Sequence, residues 1–296
     1  MSFSATDAAF EGFRVVRRRP VVALAWGLTY LLLYLVMFGL GADKWAALMA
    51  AGEALEQSAN PSMADFQALG PVYASAFALA APAGLVIGAV LSAAVARAVL
   101  RPEETRWGYL RLGMDEVRVL VVTLAVAVIV GLSSGAAMTV VGAAIGFGAA
   151  SGQPLLILLG VLLIFAAFAL VVWLAVKFSL AVPMTVDRRK IVILESFSAT
   201  KGHFWALLGM AVIAVVMSLI VSILGMIIGA ATDLATGGVQ SLSRYADLGL
   251  GQILARAWPA LLVSSVVNAF LSALQLAVLY APFSAAWQAI RMSRGR

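Results

Sequence analysis

Apolar positions fall into six long runs along this chain, and polar residues gather in the gaps between them. The runs cover residues 21–42, 71–100, 117–149, 154–183, 204–231 and 257–290. A helix needs about 20 residues to cross the hydrocarbon core of a bilayer, and every run reaches that length. The pattern therefore predicts an all-α integral membrane fold with six transmembrane helices. Several runs are longer than a bilayer requires, which calls for tilting, kinking or extension beyond it. Pro82, the Gly131–Gly135 pair and Pro282 are the natural breaks.

The gaps carry a second, shorter pattern. In residues 1–20, Ser4 and Asp7 read as a capping box, Phe10, Phe13 and Val16 fall on one helical face, and Pro20 ends the element. Residues 101–118 open with Pro102, Glu103 and Glu104 in a first turn and set Trp107 and Leu110 on one side. In residues 187–201, Ile191, Leu194 and Phe197 keep helical spacing beside Asp187, Arg188, Arg189 and Lys190. Each gap reads as an interfacial amphipathic helix. The resulting expectation is three hairpins, each preceded by such a helix. The organisation becomes an amphipathic helix (1–20), a six-span membrane domain (21–290) and a basic tail (291–296). Of the opposite loops, residues 42–70 carry Asn60-Pro61 as the expected start of a short helix, and residues 150–153 form a tight turn.

Composition supports the membrane class. Of 296 residues, 63% are hydrophobic and 11% charged, against about 25% charged in a soluble domain; the mean hydropathy is +1.03. The net charge of +6 sits beside apolar runs rather than on a domain of its own, so it indicates a lipid surface and not nucleic acid. Counting Lys and Arg between runs puts 17 of the 20 on one side, with Lys44, Arg244 and Arg256 on the other. The positive-inside rule then predicts both termini in the cytoplasm, in a bacterial inner membrane. The four arginines at 14, 17, 18 and 19, followed by an over-long apolar run, argue against a cleavable signal peptide.

Little catalytic chemistry is visible. The chain has no Cys and one His, which rules out a disulfide framework and a thiolate metal site. No nucleophile elbow, metal-ligand spacing or phosphate loop occurs, so the expectation is a non-enzymatic protein without a cofactor. Two groups remain as candidate sites. Arg17, Arg18, Arg19, Arg188, Arg189 and Lys190 are candidates for anionic lipid headgroups. Asn268, Ser272 and Gln275 share one face of the sixth run, as a polar stripe that either bonds neighbouring helices or lines a path. Lys177 is expected to snorkel to the headgroups and His203 to anchor at the membrane edge. The pairs Gly84/Gly88, Gly131/Gly135, Gly142/Gly146 and Gly225/Gly229 are expected to pack helices within the chain.

The run Lys177-Phe178-Ser179-Leu180 with Pro183, followed by Glu195-Ser196-Phe197-Ser198-Ala199-Thr200-Lys201-Gly202 and Phe204-Trp205, resembles the signature of a family of multi-pass bacterial membrane proteins. Arg101-Pro102 and the stretch from Arg111 to Arg118 are similar to that family's second cytoplasmic loop. The family includes the membrane domain fused to some glycerophosphodiester phosphodiesterases and uncharacterised stand-alone relatives. In the fused relatives catalysis belongs to a separate soluble barrel of roughly 250 residues, and no polar stretch here approaches that length. The resemblance thus brings no chemistry of its own, and the basic interfacial helices lead to the expectation of an accessory or membrane-organising role through lipid or protein contacts. The alternative is a transporter or lipid facilitator working along the stripe on the sixth span.

Overall fold

The computed structural model describes residues 4–237 and 239–294. It is 87% helical, has no strand among the described residues, and contains six helices long and apolar enough to cross a membrane. In chain order the elements are α1 (Ala5–Ala9), α2 (Glu11–Arg18), α3 (Pro20–Gln57), α4 (Met63–Leu100), α5 (Met114–Ser151), α6 (Pro154–Phe178), α7 (Ala181–Arg188), α8 (Glu195–Ala199), α9 (Phe204–Thr236) and α10 (Leu250–Arg294). Short 3-10 turns, Arg106–Tyr109 and Val239–Tyr245, complete the set.

The long helices outrun a bilayer. At 1.5 Å per residue the 38 residues of α3 span about 57 Å, against a core of about 30 Å. Gly41 leaves helical geometry (φ −145°, ψ 17°) where the first apolar run ends, and α3 resumes beyond it through an Ala-rich segment. The helix that follows starts later than the Asn60-Pro61 signal suggests. Ser62 is the cap: its backbone N–H and its hydroxyl both donate to Asp65, at 2.8 and 2.7 Å, so the box forms two residues downstream.

Burial separates the spans into a centre and a lipid-facing set. In the most apolar stretch of each, 39% is buried in α4 and 44% in α10, but 11% in each of α5, α6 and α9. Ala89 to Leu100 of α4 is buried without interruption. Its alanines let α3, α5, α7 and α10 approach closely. In sequence neighbours, α3 packs on α4, α5 on α6 and α9 on α10, while α3 and α10 are also joined.

The packed core lies at one end, the face that carries both α1 and the end of α10. One buried cluster there joins Ala9, Leu180, Met184, Leu207, Trp287 and Ile290; a second joins Val15, Trp26, Leu91, Tyr109 and Ala277. A smaller cluster around Ala42, Ala46, Leu242 and Ile253 closes the opposite end.

Three local expectations differ from the structure. The buried face of the N-terminal segment is Ala8, Ala9, Gly12 and Val15 rather than Phe10, Phe13 and Val16: Phe10 is 37% exposed, and Phe13 and Val16 are half-buried. Small residues win because the segment packs on α10 and α9 rather than on lipid. A Cβ at Gly12 would stand 2.4 Å from the Ala277 carbonyl oxygen, so only glycine permits this approach. Residues 101–118 form no continuous amphipathic helix. They turn through Trp107, Gly108 and Tyr109, all left-handed (φ 52°, 66° and 64°), before α5 starts at Met114. Residues 187–201 form two short helices split at Arg189 (φ 53°), with Ile191 and Leu194 exposed.

The GxxxG pairs do not pack as expected. Seven of the eight glycines have no atom within 4 Å of an added Cβ, and the eighth, Gly225, meets Leu271 at 3.0 Å. Gly131, Gly135, Gly142 and Gly146 are exposed, and of the four half-buried ones Gly225 lies against α10.

Candidate functional site

A buried ion pair anchors the terminal face. Arg97, near the end of α4, and Glu116, in the first turn of α5, are joined as an ion pair with side chains 1% and 6% exposed. Arg97 also donates to the Tyr109 carbonyl oxygen. Glu116 accepts from the Gly113 backbone N–H at 2.9 Å, capping α5. The Tyr109 ring is fully buried, and its hydroxyl donates to the Pro102 carbonyl oxygen at 2.9 Å. The indole N–H of Trp26 donates to the Gly108 carbonyl oxygen at 2.9 Å, tying the turn to α3. These bonds explain the left-handed turn: the loop is pinned at Gly108 and Tyr109 by the buried side chains of Trp26 and Arg97, which outweigh local helix propensity.

Sequence reasoning counted Arg97 as an ordinary basic flank. The available signal is its position three residues inside the apolar run, in Val95-Ala96-Arg97-Ala98-Val99, with Asp115 and Glu116 just ahead of the third run.

Asp187 is a second hub. It accepts from the Trp287 indole N–H at 2.9 Å and pairs with Arg291, while Arg101 donates to the Val186 carbonyl oxygen at 2.7 Å. These contacts lock α4, α7 and α10 together on the same face. Next to them, Ser196 donates to the Lys177 carbonyl oxygen at 2.6 Å, and Thr185 bonds Val192 across the loop. Phe197 meets Trp173 and Phe178 edge-on, with centroids 5.6 and 4.8 Å apart. The Lys177 ammonium lies 5.9 Å from the rings of Trp173 and Phe204. His203 Nδ1 lies 3.2 Å from the Lys201 carbonyl oxygen and is exposed. The motif residues Lys177, Ser196, Thr200 and Gly202 (φ 80°) are thus structural here: they staple α8 under α6 and turn the chain into α9.

The six basic candidates divide by what they touch. Arg188 pairs with Glu195 and stacks over Trp287 at 5.2 Å. Arg17, Arg18, Arg189 and Lys190 are exposed and form no ion pair among the described residues. Arg19 is half-buried over the Tyr109 ring at 5.4 Å, and its Nη1 is buried without a hydrogen-bond partner.

The polar stripe splits three ways. Ser272 and the Tyr34 hydroxyl lie 3.0 Å apart, linking α10 to α3. Gln275 donates to the Ser222 hydroxyl at 2.6 Å, linking α10 to α9. Asn268 is exposed and turns back onto the Ser264 carbonyl oxygen of its own helix at 2.9 Å.

Two hollows matter on the terminal half. One of about 310 Å³ lies between α4, α6, α7, α9 and α10, apolar apart from the hydroxyls of Ser92, Ser179, Tyr280 and Ser284. Asn268, Ser272 and Gln275 do not line it. The other is an open groove of about 910 Å³ along the first two turns and more of α3, headed by Arg18 and Arg19 and flanked by Trp107.

No family model matches the chain, and no curated protein or solved structure matches it.

Proposed function

We propose that this is a non-enzymatic, multi-pass protein of a bacterial inner membrane with an accessory or membrane-organising role. It works through anionic lipid headgroups or a protein partner at its basic face. The observation that carries this reading is the set of exposed cations, Arg17, Arg18, Arg189 and Lys190, that form no ion pair among the described residues, on a face where Arg97, Arg111, Arg118 and Arg291 are paired. The fold has no need of these four, and each cation at the headgroup level contributes about 1 kcal/mol of attraction to an anionic surface. The charge count supports a cytoplasmic placement of that face. The neighbour packing of α3 with α4, α5 with α6 and α9 with α10 supports a three-hairpin arrangement.

The motif resemblance to the phosphodiesterase-fused membrane domains fits the same role, with any enzyme supplied by another chain. Two stripe residues bond across helices, which supports the structural reading of the sixth span over a path through it. Native mass spectrometry of the protein released from membranes tests the proposal. Replacing Arg17, Arg18, Arg189 and Lys190 together with Gln is expected to lower retained phosphatidylglycerol while leaving insertion intact. Equal retention in both proteins refutes lipid contact as the basis of the role.

A further inference from the structure

The groove on α3 has a built polar head and an apolar body. Its walls descend from Arg18 and Arg19 past Val22, Ala25, Leu28 and Leu32. From Pro20 to Leu32 that path is about 18 Å long, a distance suited to an acyl chain lying along the helix. Leu28 and Leu32 are 59% and 63% exposed, so hydrocarbon must cover them in a membrane.

The head of the groove is cationic and unsatisfied. Arg18 is exposed and forms no ion pair among the described residues. The guanidinium of Arg19 rests on Tyr109, yet its Nη1 is buried with no acceptor. A buried donor left unpaired is costly, and a guanidinium offers the planar fork that suits phosphate. Glu11 lines a neighbouring cleft together with the same two arginines, but it is engaged by Arg14 at 3.2 Å and forms no ion pair with either of them. Trp107, 82% exposed, flanks the same head, at the level where aromatic side chains meet headgroups. Its loop is held tightly: a Cβ at Gly108 would stand 2.8 Å from Ala25, and Trp26 binds the Gly108 carbonyl.

We propose that one anionic phospholipid occupies this groove, its phosphate between Arg18 and Arg19 and an acyl chain along α3 toward Leu32. The inference rests on the lipid-contact reading above and narrows it to one site. An anionic lipid fits better than a zwitterionic one, because the latter would bring its own cation against two uncompensated arginines.

The test uses the full chain in lipid nanodiscs, with bound lipid counted by native mass spectrometry. Arg18→Gln with Arg19→Gln is expected to weaken phosphatidylglycerol retention roughly thirtyfold, as two headgroup-level cations imply, and to leave phosphatidylcholine unchanged. Arg18→Gln alone, at an exposed position, is expected to give part of that loss without touching the Tyr109 contact. Arg189→Gln with Lys190→Gln, which belong to the basic face but not to this groove, is expected to shed loosely held phosphatidylglycerol and to keep the one tightly held lipid. If only the Arg189/Lys190 variant loses lipid, this site is overturned while the broader reading stands. If neither pair changes retention, both fall. Equal displacement by soluble glycerol phosphate would show a free-phosphate site and overturn the assignment to lipid.

Discussion

Glu116→Gln is the sharpest perturbation the structure offers, because it removes a charge and little else. Gln keeps the side-chain oxygen that caps Gly113, so the start of α5 stays satisfied. What is lost is the countercharge of Arg97, whose side chain is 1% exposed and cannot reach water without disturbing the core. Breaking a buried pair by neutralising one partner costs about 3–5 kcal/mol. Asp115→Asn, one residue away, is the matched control: its pair with Arg118 spans 2.7 Å at 22–27% exposure, and loss of such a pair costs about 1 kcal/mol or less. Restoring balance should rescue much of the loss. Arg97→Met with Glu116→Gln removes both charges, keeps the cap on Gly113, and is expected to recover all but about 1–3 kcal/mol, the cost of a Tyr109 carbonyl left without its donor. Denaturant titration in mixed micelles, followed by tryptophan fluorescence, reads all three variants. A Glu116→Gln penalty no larger than that of Asp115→Asn would refute the buried-pair account. So would a double variant less stable than the single one.

Three further outcomes are expected. Reporters fused after Arg296, within residues 50–67 and within residues 237–248 should report an inner C-terminus and two outer loops; an external C-terminus overturns the orientation. Gly12→Val should destabilise by about 1–3 kcal/mol through overpacking against Ala277, whereas Gly135→Ala, with open space around it, should stay within about 0.5 kcal/mol; equal effects in thermal unfolding would contradict the packing. Cysteine at Gln275 should resist a small polar thiol reagent in intact cells, since that side chain sits between α10 and α9 on Ser222; fast labelling blocked by a solute would make the stripe a transport path.

The spans were legible because their signal is long-range and additive. Twenty apolar residues in a row cannot sit elsewhere, and the order and number of helices follow. What lay between them was harder to read, since a gap of ten to twenty residues is decided by a few specific contacts. Nothing in the local pattern of residues 101–118 announces that Tyr109 will be drawn into the core by Arg97 and Pro102. Nor does periodicity reveal that Gly12 will press on Ala277, because the deciding partner lies 265 positions away in the chain. The candidate basic residues were legible as charges, but pairing them needed coordinates: Arg188 is engaged by Glu195 and Trp287, while its neighbour Arg189 is not.

That division of the charges bears on what the basic face is for. A surface built only to orient the chain in a membrane needs Lys and Arg by count, and their partners are immaterial. Here the arginines behave in two ways. Arg97, Arg101 and Arg291 are drawn into bonds that join α4, α5, α7 and α10, and Arg118 pairs with Asp115 within α5. Arg17, Arg18, Arg189 and Lys190 are not, although carboxylates such as Glu103 stand exposed on the same face. Exposed cations left without an internal partner are free to meet an outside anion, and each one at headgroup level attracts an anionic surface by about 1 kcal/mol. The membrane supplies anionic headgroups at that depth without a second protein. The groove below Arg18 and Arg19 adds what a headgroup alone would not require, an apolar track for the chain attached to it.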